Sequence, residues 1–272
     1  MKAVLSAVFR QGMPPGAYQR IRSCWWYTSS YVPRLAASGF VRQTPAVRGF
    51  PEACELGRQL GKINVLAPTE MCRVMTWQGS DKGAGRHNYT TVYSALFRNR
   101  RDQPLRIFEL GLGTNNPALN SNMGVNGRPG ASLRAWRQLF PRAQVFGADI
   151  DLDILFKEHR IKTFYCDQLN PRTIRDLWSQ PELREGMDII IDDGLHTFEA
   201  NLSFLDHSLE HLRPGGVYVV EDIHRDAIGK WLGRIETTCS KLFAVYEFAL
   251  AQLPNAANPD DNTLLIIRRK RS

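Results

Sequence analysis

Paired cysteines are missing from this chain. The five cysteines are odd in number, lie far apart and include no CxxC pair; they are Cys24, Cys54, Cys72, Cys166 and Cys239. A disulfide framework and a thiolate zinc site both need closely spaced, paired cysteines, so this pattern argues against both. We therefore expect reduced thiols and a cytoplasmic protein.

Long apolar runs are missing as well. No segment reaches the roughly 18 apolar residues that a membrane-spanning helix requires. Residues 1–10 hold one lysine and a short apolar run, without the full apolar region and clear cleavage site of a signal peptide. We expect a soluble protein with no membrane span.

The chain also lacks a concentrated patch of one charge. Its formal net charge of +8 is dispersed, and part of it belongs to the terminal run 268–271. Basic tails are usually solvated, and no RRM, KH or helix-turn-helix signature is present. We therefore expect no nucleic-acid partner, although a nucleic-acid substrate is kept as a minor alternative.

A regular alternation of strands and helices is present from about Leu105 onward. Parallel βαβ units of this kind predict an α/β fold: a Rossmann-like, seven-stranded, mostly parallel sheet with helices on both faces. We assign residues 77–272 to that domain. Residues 1–76, with Trp25-Trp26-Tyr27 in their middle, are predicted to be a mostly helical extension. It would serve as a lid, a substrate-binding surface or an oligomerisation surface, which leaves a homo-oligomer open.

The individual elements can be placed from apolar runs and their turns. Strands are predicted over 106–109, 144–149, 163–166, 188–192, 217–221, 242–250 and 263–268, with the last two forming a hairpin-like pair. Helices are predicted over 132–140, 152–158, 173–178, 198–212 and 227–233.

A glycine loop follows the first predicted strand. Glycines in Glu109-Leu110-Gly111-Leu112-Gly113-Thr114 let the backbone turn sharply and approach a ligand closely. Asn116 stands where the dinucleotide fingerprint has its third glycine, which disfavours NAD. We expect Gly111, Gly113 and Thr114 to bind a cofactor, and Glu109 to engage the amino end of a methionine moiety.

The next two strands also end in polar residues. Asp149 ends the second strand, where a carboxylate can accept both hydrogen bonds from a ribose diol. Asp167 and Gln168 follow the third strand and are expected to read an adenine amino group. Each residue alone could be an ordinary polar loop residue, so the prediction rests on the order of the whole set.

Two acidic pairs follow the fourth and fifth strands. The fourth ends in Asp192-Asp193-Gly194-Leu195-His196 and the fifth in Glu221-Asp222-Ile223-His224. Carboxylates this close repel in a partly buried site, and a hard divalent cation removes the conflict. We predict that Asp193, Glu221 and Asp222 bind Mg²⁺, and we assign Asp192 to the cofactor site.

His196 lies three residues after Asp193 and is the candidate general base. An imidazole with a pKa near 6.5 can accept a hydroxyl proton at neutral pH. The alternative is that Asp192 or Asp193 caps the following helix and His196 is a surface residue. His224 is left open as a spare ligand or a substrate contact.

These residues resemble the metal-dependent sugar O-methyltransferases of macrolide biosynthesis, of the macrocin and mycinamicin type. The resemblance covers roughly 77–225 and is carried by the stretches 190–196, 212–222, 131–136, 140–141, 147–151, 80–83 and 87–90. It implies an S-adenosylmethionine donor and a hydroxyl acceptor on a sugar or small natural product. It also implies magnesium on Asp193, Glu221 and Asp222, with His196 as the base.

The chain departs from that family in places. Leu195 stands where a small serine is common, and an asparagine-rich insert, residues 115–129, follows the glycine loop. The insert either shapes the acceptor pocket or is a surface loop. Asp81, Lys82, His87 and Tyr89 could border the cofactor. A metal-dependent hydroxylase- or hydrolase-like enzyme and a non-catalytic adenosylmethionine-binding protein are the alternative functions.

Overall fold

A single sheet organises the part of the chain that the structure, a computed structural model, describes: residues 43–65, 69–83, 86–254 and 260–271. Trp25-Trp26-Tyr27 lies outside these residues. The strands are β1 (Ala46–Phe50), β2 (Arg106–Leu110), β3 (Gln144–Asp149), β4 (Lys157–Glu158), β5 (Ile161–Tyr165), β6 (Met187–Asp192), β7 (Leu212–Ile223), β8 (Tyr246–Gln252) and β9 (Thr263–Arg269).

The strand order across the sheet is β1-β8-β9-β7-β6-β2-β3-β5-β4. The central strands β5, β3, β2, β6 and β7 pair in parallel, and β8 and β9 form an antiparallel pair. The predicted α/β fold with a parallel central sheet is therefore confirmed, whereas the count of seven strands is wrong, because the described sheet has nine.

The two strands that sequence analysis missed lie at the two edges of the sheet. The strand β4 has only two residues, too few for any hydrophobic periodicity to register. The strand β1 contains Arg48 and Gly49 and is exposed on alternate residues, so it carries little apolar signal.

The helices lie before and between the strands. Among the described residues they are α1 (Glu55–Leu60), α2 (Glu70–Gln78), α3 (Tyr89–Phe97), α4 (Ala131–Leu139), α5 (Pro171–Trp178), α6 (Phe198–Ser208) and α7 (Ile228–Thr237). The helix predicted over 152–158 is wrong, because a 3-10 turn at Leu152–Ile154 leads into β4. None of the described helices is long and apolar enough to cross a membrane.

Both faces of the sheet are covered, as parallel strands require. Ile189 and Ile191 of β6 point into one buried cluster, which also holds Trp136 of α4, while Ile190 points into the other, with Trp178 of α5. This period of two shows that a helix layer lies on each side.

The segment before residue 77 contributes to the same structure. Residues of α1 and α2, such as Leu56 and Met75, share a buried cluster with Trp136, and β1 pairs with β8. The domain boundary at residue 76 and the role of residues 1–76 stay predictions; much of that segment lies outside the described residues.

The parallel register brings the loops after β2, β6 and β7 to one edge. Leu110 pairs with Asp192 across β2 and β6, and Asp192 pairs with Val220 across β6 and β7. The glycine loop, the Asp193 loop and the Glu221-Asp222 pair therefore meet where ligands of open α/β sheets bind.

Gly111 is the point of closest approach at this edge. Its φ is +89°, and a β-carbon there would overlap the backbone carbonyl of Asp193. We expect Gly111→Ala to lower the free energy of unfolding by about 2–4 kcal/mol, since the backbone itself must shift.

Gly124 offers a matched control, because its φ is +68° but a β-carbon there would meet nothing within 4 Å. Gly124→Ala should cost only about 1 kcal/mol from its left-handed backbone. Urea unfolding of both variants measures the difference; equal losses would contradict the close approach.

Candidate active site

A cavity of about 480 Å³ opens at the carboxyl ends of the central strands. It brings together nine of the predicted site residues: Gly111, Gly113, Thr114, Asp149, Asp167, Gln168, Asp193, His196 and Asp222. The other three, Glu109, Asp192 and Glu221, do not line it and are at most 1 % exposed. The predicted cofactor and metal residues thus share one cleft, with three carboxylates behind its wall.

The glycine loop is held in place by the end of β3. Asp149 accepts hydrogen bonds from the backbone N–H of Leu112 at 2.7 Å and of Asp151 at 2.9 Å. The hydroxyl of Thr114 donates to Asp151. Burial raises the pKa of Asp149. The predicted contact of Asp149 with a ribose stays a prediction.

The insert 115–129 folds back over the glycine loop. The Met123 N–H donates to the Thr114 carbonyl at 2.8 Å, and the Asn115 side chain donates to the carbonyls of Gly124 and Gly127 at 2.6 and 3.1 Å. Residues 118–123 line the cavity. This position agrees with one of the two predicted roles of the insert, namely that it shapes the acceptor pocket.

Glu109 is enclosed behind the loop rather than presented to the cavity. Its two carboxylate oxygens accept hydrogen bonds from the Ser132 hydroxyl at 2.5 Å and the Trp136 indole N–H at 2.6 Å, both on α4. Burial raises the pKa of Glu109, against the opposing charge of Lys82. Its predicted contact with a methionine amino group stays a prediction.

Gln168 and Asp192 form a buried polar bridge between two strand ends. The Gln168 amide donates to Asp192 at 2.7 Å and accepts from the Leu195 N–H at 2.8 Å, and Asn201 donates to the other Asp192 oxygen at 3.0 Å. Burial raises the pKa of Asp192 to about 7. Both ends of the Gln168 amide therefore have protein partners, and the bridge holds the loop that carries Asp193 and His196.

Asp193 and Asp222 face His196 across the cavity edge. The Nε2 atom of His196 lies 3.3 Å from Asp193 Oδ1 and 3.4 Å from Asp222 Oδ2. The backbone of both His196 and Asp222 is in the left-handed region, with φ of +62° and +53°. Such strain in non-glycine residues is concentrated at functional sites, where surrounding structure enforces it.

The two carboxylates favour the protonated form of His196. Burial lowers the pKa of His196, but the hydrogen bond to Asp193 and the charges of Asp222 and Asp193 outweigh burial and raise it to about 10. Asp222 also accepts a hydrogen bond from the Tyr89 hydroxyl at 2.5 Å and lies 3.3 Å from His87 Nδ1.

The hydrogen-bond donors to Glu221 come from the interior of the protein. Its oxygens accept hydrogen bonds from the Tyr93 hydroxyl and the Lys82 ammonium. The same ammonium lies 2.5 Å from Asp193 Oδ2 and 3.5 Å from Glu109 Oε1. Lys82 is thus a buried cation among three of the acidic residues that sequence analysis selected.

The cavity side of this cluster has the side chains to hold a divalent cation. Ligand atoms of Asp193, His196 and Asp222 lie within 4.8 Å of one another, as do those of His87, Asp222 and Asp261. Hard cations take carboxylate oxygens. The Asp193 and Asp222 oxygens that face His196 would supply that donor set, and Glu221 would add a buried carboxylate that already has two protein donors.

Tyr93 and the central place of Lys82 were not predicted from the sequence. Tyr93 follows Tyr89 by four residues on α3, so the two hydroxyls share one helix face, and that spacing is the signal that could have found it. His224 lies apart from the cluster: its side chain is 46 % exposed and pairs with Asp226 at 3.3 Å.

No family model matches the chain. The chain is 36% identical over 146 residues to the 8-demethyl-8-alpha-L-rhamnosyl tetracenomycin-C 2'-O-methyltransferase of Streptomyces olivaceus, covering 53% of this chain and 35% of that enzyme. It is 35% identical over 138 residues to the demethylmacrocin O-methyltransferase of Streptomyces fradiae, covering 50% and 32%. The matches therefore span about a third of the length of these curated relatives.

A solved structure is similar over a longer range. It is the MycE methyltransferase from the mycinamycin biosynthetic pathway in complex with Mg and SAH, with a TM-score of 0.56 and 24% identity, covering 80% of this chain and 60% of that chain. This likeness confirms the fold. The resemblance to O-methyltransferases of the macrocin and mycinamicin type is confirmed over about half of the chain.

Proposed function

We propose that this protein transfers a methyl group from S-adenosylmethionine to a hydroxyl of a sugar or glycosylated small molecule, with the help of Mg²⁺. One observation carries the proposal: a single cavity joins the glycine loop to the facing side chains of Asp193, His196 and Asp222. The named activities of the relatives, which methylate rhamnosyl tetracenomycin and demethylmacrocin, support a glycosidic acceptor.

The cofactor would occupy the part of the cavity bounded by the glycine loop. Gly111 and Gly113 let its backbone come close, while Asp149 and Asp167 line the wall toward β3 and β5. The MycE methyltransferase, which is similar in fold at 24% identity, was solved in complex with SAH and supports a cofactor of this chemical class.

Magnesium would be held by Asp193 and Asp222, with Glu221 behind them. Bound there, it would polarise the acceptor hydroxyl and make its proton easier to remove. The chain's own contribution is to hold the two carboxylates on either side of His196, at 3.3 and 3.4 Å from Nε2.

His196 is proposed as the general base. The proton of the acceptor hydroxyl passes to Nε2 as the oxygen bonds to the methyl carbon, and the electrons of the methyl–sulfur bond stay on sulfur. This role requires a neutral imidazole, whereas the facing carboxylates raise the pKa of His196 to about 10. The proposal therefore includes neutralisation of the Asp193 and Asp222 charges by the bound cation.

A cytoplasmic location also stays a prediction.

The function is tested first by binding and product mass. Titration calorimetry should detect binding of S-adenosylhomocysteine, and a panel of rhamnosides and other deoxysugar glycosides should yield a product heavier by one methyl group, with turnover lost in EDTA. Absence of S-adenosylhomocysteine binding would refute the proposal. Binding without methylated product on any hydroxylated acceptor would favour a non-catalytic binding protein instead.

Substitution of His196 tests the base. We expect His196→Gln to lower kcat by about 10²–10⁴-fold while leaving the affinity for S-adenosylhomocysteine within about threefold, because the side chain acts at the acceptor side of the cavity. Leu195→Ser, a change at the adjacent loop position, is the control and should retain most turnover. An unchanged kcat in His196→Gln would contradict the role of His196 as general base and would leave the assigned fold unaffected.

Magnesium should also lower the pKa of His196. The hydrogen bond to Asp193 and the Asp222 charge raise this pKa above its usual value, so a cation that neutralises them should bring it back toward 7. Histidine NMR signals titrated with pH in EDTA and in MgCl₂ measure it, with His196→Gln identifying the resonance. An identical titration in both conditions would contradict the proposed metal position.

A further inference from the structure

Lys82 occupies the interior of the acidic cluster. It follows α2, which is capped by Gly79 in the left-handed conformation, and its side chain is only 2 % exposed. Its ammonium contacts Asp193 and Glu221, and it lies 3.5 Å from Glu109. These carboxylates come from or directly follow three neighbouring strands, β2, β6 and β7, so one side chain ties three strand ends together.

The contacts of Asp193 divide its carboxylate between two sides. One oxygen, Oδ2, pairs with Lys82 at 2.5 Å, and the other, Oδ1, faces His196 at 3.3 Å on the cavity side. Glu221 similarly gives one oxygen to Lys82 and the other to Tyr93. The Lys82 ammonium therefore pairs with two of the three carboxylates that are proposed to hold magnesium.

We propose that Lys82 is a positioning residue that competes with the divalent cation for Asp193 and Glu221 and thereby limits how tightly the cation is held. This inference rests on the proposed function. A unit charge and a divalent ion that share one carboxylate in a partly buried site repel each other. Lys82 keeps the Asp193 carboxylate oriented and prevents the site from binding the cation with high affinity.

A merely structural role makes the opposite prediction. If Lys82 only supported the fold, its loss would loosen the carboxylates and weaken cation binding along with stability. If it competes, its loss increases the negative charge available to the cation, and affinity rises. The direction of the change in cation affinity therefore separates the two roles without any measurement of turnover.

The test is calorimetric titration of MgCl₂ and MnCl₂ into the full chain and its variants in the presence of S-adenosylhomocysteine. We expect Lys82→Met to bind both ions at least tenfold more tightly than the unsubstituted chain. Tyr93→Phe is the matched control, because it removes a neutral hydrogen bond to Glu221 and no charge; its affinity should stay within threefold. Lys82→Gln, which keeps a donor toward the carboxylates, should match Lys82→Met and replaces it where the methionine variant does not fold.

The outcomes separate this inference from the proposed function. A folded Lys82→Met or Lys82→Gln that binds the ions equally or more weakly overturns the role of Lys82 and leaves magnesium dependence standing. Tight binding only in the Lys82 variants supports competition and contradicts magnesium use by the unsubstituted chain. Absence of binding in all variants overturns both.

Discussion

Negative charge concentrated at three neighbouring strand ends is the constraint on which this site depends. The parallel register of β2, β6 and β7 places Glu109, Asp193 and Glu221-Asp222 at one sheet edge. Burial alone would drive these carboxyl groups to take up protons, because a buried charge without a partner is costly. The donors around these carboxylates can be understood as a response to that cost.

The responses differ between the interior and the cavity. In the interior, fixed donors satisfy the charge: Ser132 and Trp136 for Glu109, Tyr93 for Glu221, and the Gln168 and Asn201 amides for Asp192. Lys82 adds one positive charge between three acids. On the cavity side, Asp193 and Asp222 share the His196 imidazole, which is still 33 % exposed. The carboxylates that remain open to a cation are thus those beside the candidate base.

Much of this arrangement could be predicted from sequence, because strand ends and their loops are contiguous in the chain. The glycine loop, Asp149 and the DDGLH and ED runs were placed at one edge by βαβ logic alone. What could not be predicted depends on side chains from distant segments. Lys82 and Tyr93 reach the cluster from before the first predicted strand, and Gln168 turns its amide toward Asp192 rather than outward. The short edge strands β1 and β4 were not predicted, because they carry too few apolar residues to show a hydrophobic period.

The central claim, that a divalent cation sits between Asp193 and Asp222 beside the cofactor, is tested most directly by crystallography. A crystal structure with Mn²⁺ and S-adenosylhomocysteine should show an anomalous manganese peak within ligand distance of Asp193 and Asp222, in the same cavity as the nucleoside and with Lys82 still paired to Asp193. A manganese-soaked crystal that holds S-adenosylhomocysteine in the cleft but shows no anomalous peak at these carboxylates would contradict the account.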